Sequence, residues 1–213
     1  FNIDIRQSDY KNTIIHDVRK PIDIKSLKNL DLIFHLAAQT SSIISQEDPW
    51  LDINTNIYGA LNITDLAMKN MCPIIFTSSM AVYNQPNIDI YSTPNPLSNY
   101  GISKYASEFI IKRLEMYQIK YKILRLFNIY GPGQDMNNLK QGMVSIFIQM
   151  ALKNKKIIVK GSKDRTRDFV FIDDLINYLV TSMNNLDNRV INIGTGISTS
   201  VEELLNIINL FYY

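Results

Sequence analysis

The chain has 213 residues, of which 46% are hydrophobic and 20% are charged, as in an ordinary globular protein. The formal net charge of +2, from 22 basic and 20 acidic residues, gives no electrostatic argument for binding nucleic acid. A single cysteine, Cys72, excludes an internal disulfide and a cysteine-rich metal site. No apolar run reaches the roughly 18 residues of a transmembrane helix, so we expect a cytoplasmic protein without a membrane anchor.

The first part of the chain alternates between short apolar runs and segments with the apolar spacing of a helix. The apolar runs predict buried parallel strands at 32–38, 74–77 and 122–127. Helices are predicted from Pro49 to Asn70, with the proline in the first turn, and from Tyr100 to Tyr117. This β-α-β-α-β order indicates an α/β protein with a Rossmann-like, doubly wound parallel sheet.

After Gly131 the pattern changes and indicates a smaller α/β lobe. A helix is predicted at 142–154, with strands at 157–159, 167–172 and 190–194. Ser200 and Glu203 have the S-x-x-E spacing of a capping box, which predicts the start of the last helix. We therefore expect two domains, residues 1–130 and residues 131–213.

The sharpest chemical motif is the pair Tyr100 and Lys104 in the segment YGISK. Residues four apart near the start of a helix share one face, so the two side chains are expected to lie together. A free tyrosine has a pKa of about 10 and is a poor base at neutral pH. A neighbouring ammonium and the helix N-terminus favour the phenolate, which makes a usable proton shuttle. The alternative is a surface tyrosine–lysine pair without a catalytic role.

Two serines, Ser78 and Ser79, follow the second predicted strand. The carboxyl ends of strands in an open parallel sheet face the ligand crevice. A serine at this position can hydrogen-bond a substrate hydroxyl and the tyrosine. The alternative is that the two hydroxyls cap the next turn.

Several other polar residues have both a functional and a structural interpretation. Asp17 follows an apolar pair and suits an adenine amino group, or it is a simple turn residue. His35 lies inside a predicted strand and is interpreted as a packed histidine rather than a ligand or base. Arg165 and Arg167 suit bidentate phosphate contacts, or they form a surface charge network with nearby aspartates.

Eight sequence blocks, spread over nearly the whole chain, resemble the extended short-chain dehydrogenase/reductase family. They are most similar to its NAD-dependent sugar-nucleotide epimerases and dehydratases, of the UDP-glucose 4-epimerase type. The blocks are HDVR (16–19), HLAAQTS (35–41), the N-x-x-G of Asn56 to Gly59, TSSMAVY (77–83), YGISK (100–104), LRLFNIYGPGQ (124–134), RDFVFIDDL (167–175) and NIGTG (192–196). The resemblance implies an NAD-binding domain at 1–130 and a substrate-binding lobe at 131–213.

NAD is the cofactor that the resemblance implies, and no metal is implied. By position in the matching blocks, the cofactor-binding residues are Asp17, Val18, Leu36, Ala37, Ala38, Asn56, Tyr100, Lys104 and Phe127. Within this set, Asp17 corresponds to the aspartate that binds adenine. Lys104 corresponds to the residue that holds the nicotinamide ribose and lowers the pKa of the tyrosine.

The resemblance also implies a nucleotide-diphosphate sugar as substrate. The implied catalytic residues are Ser79, Tyr100 and Lys104, and the implied substrate-binding residues are Ser79, Asn128 and Arg167. Tyr100 would take a proton from a sugar hydroxyl while a hydride passes to NAD, and the hydride would return to the other face of the keto sugar. We expect a 4-epimerase, because Met80 and Ala81 stand where the family's 4,6-dehydratases usually carry an Asp-Glu pair.

Departures from the family pattern leave alternatives open. The Gly-rich phosphate loop, the first strand and the last family segments are absent from the sequence, so we expect a chain that is incomplete at both ends. A dehydratase, decarboxylase or reductase of the same family, or an inactive dinucleotide-binding fragment, is the alternative function. The family often pairs through the helices that hold Asn56 and Tyr100, so a homodimer is an option, whereas nucleic-acid and membrane partners are not expected.

Overall fold

A computed structural model describes residues 1–85, 88–89, 91–153 and 156–212. Of Tyr212, only the backbone is described. The chain forms two compact units. The first unit comprises Phe1–Arg125 and Ser182–Ile191, and the second comprises Leu126–Thr181 and the chain from Asn192 onwards. The assignment of cofactor binding to the first part of the chain and substrate binding to the second stays a prediction.

Both units are built from short strands and helices. The strands are β1 (Asn2–Asp4), β2 (Thr13–Ile15), β3 (Ile33–His35), β4 (Ile74–Ser79), β5 (Tyr121–Leu126), β6 (Asn128–Tyr130), β7 (Thr166–Arg167), β8 (Phe169–Phe171), β9 (Arg189–Ile193) and β10 (Thr199–Ser200). The α-helices are α1 (Ser42–Glu47), α2 (Pro49–Ile53), α3 (Gly59–Asn70), α4 (Asn99–Lys112), α5 (Met143–Leu152), α6 (Ile172–Ser182) and α7 (Val201–Tyr212). This mixture confirms the predicted α/β fold class.

The first unit contains a four-stranded sheet in the order β3-β4-β5-β9 and a separate pair formed by β1 and β2. β1 is parallel to β2, and β3 is parallel to β4, with Ile33 opposite Ile74. Ile74, Ile75 and Phe76 of β4 are almost fully buried. A strand covered on both faces needs a continuous apolar run, and this segment has one. The three strands predicted before residue 130 are confirmed, with shifts of a few residues at their ends.

Helices α3 and α4 supply the other side of this unit's core. Apolar residues of α3 recur at helical spacing, and they pack with side chains of the sheet and of the segment after α4. The buried cluster comprises Ile22, Leu27, Ile33, Ile63, Leu66, Ala67, Cys72, Ile74, Phe76, Ile111, Leu114, Ile119, Tyr121 and Ile123. Burial of one large aliphatic side chain stabilises a fold by about 1.5–3 kcal/mol, so this cluster fixes α3 and α4 against the sheet.

The helix predicted at 49–70 is confirmed, with one irregularity. Asp48 caps its start, because the Asp48 Oδ1 accepts a hydrogen bond of 2.9 Å from the Leu51 amide. A π-helical turn at Asn54–Tyr58 then joins α2 to α3. The helix ends at Asn70, and its C-cap residue Met71 adopts the left-handed conformation with φ 49°. The extra residue of a π turn changes which side chains face the core, and such turns are frequent at functional sites.

Helix α4 begins where the sequence places Tyr100. Ser98 caps it, accepting a hydrogen bond of 3.0 Å from the Gly101 amide. A Cβ atom at Gly101 would overlap the carbonyl oxygen of Ala81, so glycine allows the helix to approach the turn after β4 closely. A 3-10 turn at Arg113–Tyr117 extends the helix, which confirms the predicted extent of 100–117.

The second unit contains two small sheets and a helical core. β6 is parallel to β8, and β10 is antiparallel to β7, with Thr199 opposite Arg167. Helices α5 and α7 pack together through the buried residues Val144, Phe147, Ala151, Val201, Leu204 and Ile208. The predicted capping box is confirmed: the Ser200 amide donates to Glu203 Oε2 at 2.7 Å, and the Glu203 amide donates to Ser200 Oγ at 3.1 Å.

One prediction for the second unit needs correction. The strand predicted at 157–159 is wrong, because these residues have no regular structure. Ile157 and Val159 instead pack against the core formed by α5 and α7, so packing overrides the strand preference of a short β-branched run. The helix predicted at 142–154 is confirmed as α5, which ends at Leu152, and residue 154 lies outside the described residues.

Candidate active site

Tyr100 and Lys104 lie one turn apart in α4, and both are buried. Tyr100 is 8% exposed and Lys104 is 2% exposed, so the alternative of a surface pair is wrong. The Tyr100 amide donates a hydrogen bond of 3.1 Å to Ser45 Oγ of α1, which fixes the start of the helix. The Lys104 Nζ lies 4.3 Å from the centroid of the Phe76 ring in β4. A buried ammonium over an aromatic face gains a cation–π attraction, but it loses its hydration.

Ser79 lies at the carboxyl end of β4 and has two partners. Its Oγ accepts a hydrogen bond of 3.1 Å from the Ala81 amide and so caps the turn at Met80–Val82. The Ser79 side chain also hydrogen-bonds Tyr100, which favours the ionised form of the phenol. The capping role and the contact with the tyrosine, which were alternatives in the sequence, therefore occur together.

Burial dominates the electrostatics of Tyr100 and Lys104. Loss of solvent, with a smaller contribution from the Asp52 carboxylate, raises the pKa of Tyr100 to about 12 against the effect of the hydrogen bond with Ser79. Loss of solvent lowers the pKa of Lys104 to about 7, although the carboxylates of Glu108 and Asp52 oppose this. The chain by itself therefore holds Tyr100 as a neutral phenol. A positive charge against this pair would favour the phenolate, so the residues present fit a nicotinamide cation.

A polar network lies beside this pair and includes Asn56, which is 2% exposed. The Asn56 Oδ1 accepts from the Gln39 amide at 3.0 Å. The Asn56 Nδ2 donates to the Gln39 carbonyl oxygen at 3.1 Å and to Ser103 Oγ at 2.9 Å, and it lies 3.2 Å from Asp52 Oδ1. The amide of Asn56 therefore joins α2 to α4 through bonds within the chain.

A second buried network lies one turn beyond Lys104. Glu108 accepts hydrogen bonds from Ser78 Oγ at 2.6 Å, from Arg125 Nε at 2.8 Å and from Arg125 NH2 at 2.7 Å. Arg125 NH1 donates to the Tyr83 hydroxyl at 2.7 Å. This bidentate pair connects β4, α4 and β5, and it neutralises the Glu108 charge.

Sequence reasoning did not identify Asp52, Glu108 or Arg125 as parts of the site. Glu108 carries a signal that could have found it, since it follows Tyr100 and Lys104 at a further spacing of four. Arg125 and Lys122 are charged residues in an otherwise hydrophobic strand, which indicates buried partners. Asp52 precedes Asn56 by one helical turn, but nothing in the sequence shows which face the pair occupies.

The residues predicted at the cofactor edge follow strands of the first unit. Asp17 follows β2 and forms an ion pair of 2.6 Å with Arg19, which holds the pKa of this carboxyl below its ordinary value. Leu36 is 52% exposed and Ala37 is exposed at the end of β3, and Ala38 is half-buried. A cavity of about 470 Å³ is lined by Leu36, Ala37 and Val18, together with aliphatic side chains.

His35 is packed, as predicted. It is 2% exposed, and its ring stacks on Phe76 with 5.3 Å between centroids. Burial and the positive charge of Lys104 lower its pKa to about 3, so the imidazole is neutral at physiological pH. Among the described residues, no group of three or more histidine, cysteine and acidic side chains could hold a metal ion. No helix in the described part of the chain is long and apolar enough to cross a membrane.

Phe127, Asn128 and Arg167 belong to the second unit, so the structure divides the predicted site residues between the two units. Asn128 Nδ2 donates to the Asp168 carbonyl oxygen at 2.9 Å, and the Phe127 amide donates to the Ile193 carbonyl oxygen at 3.1 Å. Arg167 is half-buried, and its NH1 donates to the Thr166 carbonyl oxygen at 2.7 Å. Burial and the charge of Arg165 lower the pKa of Arg167, as expected where two guanidinium groups share one region.

Comparisons with known proteins agree with this geometry. A Methanocaldococcus jannaschii protein, provisionally named a UDP-glucose 4-epimerase, is 40% identical over 209 residues, which cover 95% of this chain and 67% of that protein. UDP-glucuronic acid decarboxylase 3 of Arabidopsis thaliana is 31% identical over 209 residues, covering 91% of this chain and 59% of that protein.

Structural similarity gives the same result. The crystal structure of the Thermotoga maritima UDP-glucose 4-epimerase with UDP-glucose is similar with a TM-score of 0.85 and 32% identity. The match covers 93% of this chain and 67% of that one, and the chain thus spans 59% to 67% of the length of these three proteins. The sequence model of the NAD dependent epimerase/dehydratase family matches residues 5–194. The chain belongs to the NAD dependent epimerase/dehydratase family.

Proposed function

We propose that the protein inverts a sugar carbon, C4, of a UDP-sugar by transient oxidation, with Tyr100 as the proton shuttle. The observation that carries this proposal is the buried arrangement of Ser79, Tyr100 and Lys104 at the carboxyl end of β4 and the start of α4. The proposed substrate class follows from the relatives, because the name of each of them contains a UDP-sugar.

Proton transfer is the part of the reaction that these residues perform. The Tyr100 oxygen takes the proton of the sugar hydroxyl as that carbon is oxidised, and it returns the proton when the carbon is reduced. Ser79 hydrogen-bonds Tyr100 and favours its ionised form. The ammonium of Lys104, one turn away, favours the phenolate in the same direction. NAD, when bound, supplies acceptance and return of a hydride at the sugar carbon.

The binding residues follow from the same proposal. Lys104 would hold the nicotinamide ribose, and Asp17 would hold the adenine in place of its contact with Arg19. The remaining proposed cofactor contacts are Val18, Leu36, Ala37, Ala38, Asn56 and Phe127. Asn128 and Arg167 of the second unit would bind the diphosphate, which suits a half-buried guanidinium.

Decarboxylation of a UDP-uronic acid is the second candidate. Its support is the 31% identity to an Arabidopsis thaliana UDP-glucuronic acid decarboxylase. The same serine, tyrosine and lysine could remove the hydroxyl proton of that sugar while NAD, when bound, would accept the hydride. Dehydration is less well supported, because Met80 and Ala81 form the turn after Ser79 and neither carries an acid or base.

A substrate panel tests the proposal. The NAD-loaded protein is incubated with UDP-glucose, UDP-galactose and UDP-glucuronic acid, and the product sugars and released carbon dioxide are measured. We expect interconversion of UDP-glucose and UDP-galactose without carbon dioxide. Release of carbon dioxide from UDP-glucuronic acid would select the decarboxylase. Saturable NAD binding without turnover of any sugar would contradict both candidates and favour a non-enzymatic dinucleotide-binding protein.

A further inference from the structure

Asp52 is a buried carboxylate that the proposed proton shuttle does not use. It lies in α2 and is 0% exposed. Its Oδ1 accepts a hydrogen bond of 2.5 Å from Gln39 Nε2 and one of 3.2 Å from Asn56 Nδ2. Its Oδ2 is also buried and has no hydrogen-bond partner among the residues that the structure describes. Burial raises the pKa of the Asp52 carboxyl, whereas hydrogen bonds from Ser103 and Gln39 and the positive charge of Lys104 lower it. A cation within electrostatic reach therefore favours the ionised form of this buried carboxyl.

The charges around Asp52 identify Lys104 as that cation. Glu108 has the larger effect of the two carboxylates on the pKa of Lys104, but it also forms the bidentate contact with Arg125. His35, from β3, is neutral at physiological pH, and Tyr100 is a neutral phenol in the chain alone. Lys104 is 2% exposed and forms no ion pair within 4.0 Å among the described residues, so its charge depends on carboxylates farther away. Asp52 and Glu108 are the two carboxylates that act on it.

Hydrogen bonds also connect Asp52 to the backbone of α4 between the two catalytic side chains. Asn56 Nδ2 contacts both Asp52 Oδ1 and Ser103 Oγ. Ser103 precedes Lys104, and its Oγ donates to the Tyr100 carbonyl oxygen at 3.0 Å. A change at Asp52 therefore reaches the turn of α4 that carries both residues.

We propose that Asp52 is a positioning residue, which supplies a buried counter-charge to the Lys104 ammonium beside that of Glu108 and fixes the turn between Tyr100 and Lys104 through Asn56. This inference rests on the proposed function, because it assigns Lys104 a charge that the proton shuttle needs. It adds a residue of α2 to a site otherwise formed by β4 and α4.

The variant Asp52→Asn removes the charge and keeps the shape. The asparagine oxygen can accept the bonds from Gln39 and Asn56, and its amide group takes the place of Oδ2, where no hydrogen bond is lost. Asp65→Asn is the matched control, because Asp65 is an exposed carboxylate in α3. Asp52→Glu conserves the charge but adds a methylene group at a buried position, so both limbs of its pH profile should stay at their wild-type pH while its stability falls.

The first readout is the pH profile of turnover on UDP-glucose. Removal of a negative charge lowers the pKa of both neighbouring groups, so the rising limb set by Tyr100 and the falling limb set by Lys104 should both move to lower pH, by about one pH unit. The kcat at pH 8 should fall about 10-fold at an unchanged KM. A loss of kcat with both limbs in their wild-type positions would mean a purely structural role and would overturn the proposal.

The second readout does not need activity. The ¹³Cε resonance of Lys104, assigned by its absence in Lys104→Arg, should titrate at lower pH in Asp52→Asn than in wild type, and an unchanged midpoint would contradict the proposal. If Asp52→Asn does not fold, Lys104→Met keeps the test open: the pKa of the Asp52 carboxyl, read from its ¹³Cγ resonance, should rise, and constancy would refute the pairing. These titrations stay decisive if the wild type epimerises no UDP-sugar, so failure of the proposed function is distinguished from failure of this inference.

Discussion

The two units of the chain hold the polar side chains of the candidate site in different ways. In the first unit, Glu108, Arg125 and Asp52 are buried and bond to other side chains. In the second unit, Asn128 and Arg167 are half-buried and bond to backbone carbonyl groups. Side-chain partners hold buried polar groups in fixed positions, whereas half-buried groups keep contact with solvent. The first arrangement suits proton transfer, and the second suits binding of an anionic substrate.

The largest expected effect comes from Tyr100→Phe, which removes the proposed proton shuttle and leaves the packing of α4. We expect kcat to fall by about 10²–10⁴-fold, the range for a positioned acid or base. Turnover of UDP-glucose is measured beside Tyr117→Phe, an exposed tyrosine that should give wild-type rates. Near-normal turnover in the Tyr100 variant would contradict the proposed catalytic role of Tyr100 in the first unit.

Arg125→Met tests whether the first unit depends on its buried ion pair. The variant leaves Glu108 charged, fully buried and without its bidentate partner, so the free energy of unfolding should fall by about 3–5 kcal/mol. Urea unfolding measures this, with the exposed Arg113→Met as control. A double variant that also carries Glu108→Gln should recover part of the loss, and equal losses in the single and double variants would argue against the pair.

Lys104 should make the stability of the first unit depend on pH. Its pKa falls from 10.5 unfolded to about 7 folded, so between these values the unfolded chain binds more protons. The free energy of unfolding should therefore rise with pH, by about 2 kcal/mol between pH 7 and pH 9. In Lys104→Met, the free energy of unfolding should not show this rise between pH 7 and pH 9. If denaturant midpoints of wild type and variant respond equally to pH, the lysine is not buried as described.

Arg167→Ala tests the contrasting role of the second unit. Loss of a charge-assisted contact to the diphosphate should raise the KM for UDP-glucose by about 10-fold, with kcat within about twofold of wild type. Steady-state kinetics separate the two constants, and the exposed Lys160→Ala provides a control for charge. A fall in kcat at constant KM would assign Arg167 to the chemical step instead.

The smallest expected effect concerns the capping box of the second unit. Ser200→Ala removes the acceptor of the Glu203 amide, so stability should fall by about 1 kcal/mol. Hydrogen exchange should locate the change in the first turn of α7, while turnover stays unchanged. A change spread evenly over both units would mean that α7 does not unfold locally.

Local patterns predicted much of the fold, because these features depend on residues that are close together in the sequence. Three such patterns each involve only a few neighbouring residues: Pro49 after a capping aspartate, the apolar run of β4 and the S-x-x-E box. The strand predicted at 157–159 failed because Ile157 and Val159 meet helices distant in sequence. Packing of this kind is invisible to a local pattern.

The candidate site was predictable in part for a similar reason. Tyr100 and Lys104 are a local helical pair, and Ser79 ends a recognisable strand, so their order along the chain was enough. Asp52 acts through Asn56 on α4, which is about 50 residues away in the chain, and Arg125 pairs with Glu108 across two elements. Such pairings depend on the π-helical turn and on sheet order, and no spacing in the sequence expresses them.

The most direct test of the account uses UDP-glucose that carries deuterium at C4. We predict that UDP-galactose formed by the NAD-loaded protein keeps the deuterium at C4, because the hydrogen leaves that carbon as a hydride and returns within one site. The same label in Tyr100→Phe should stay in unreacted UDP-glucose. Loss of deuterium to water during wild-type turnover would contradict the account, since it would mean that C4 is deprotonated rather than oxidised.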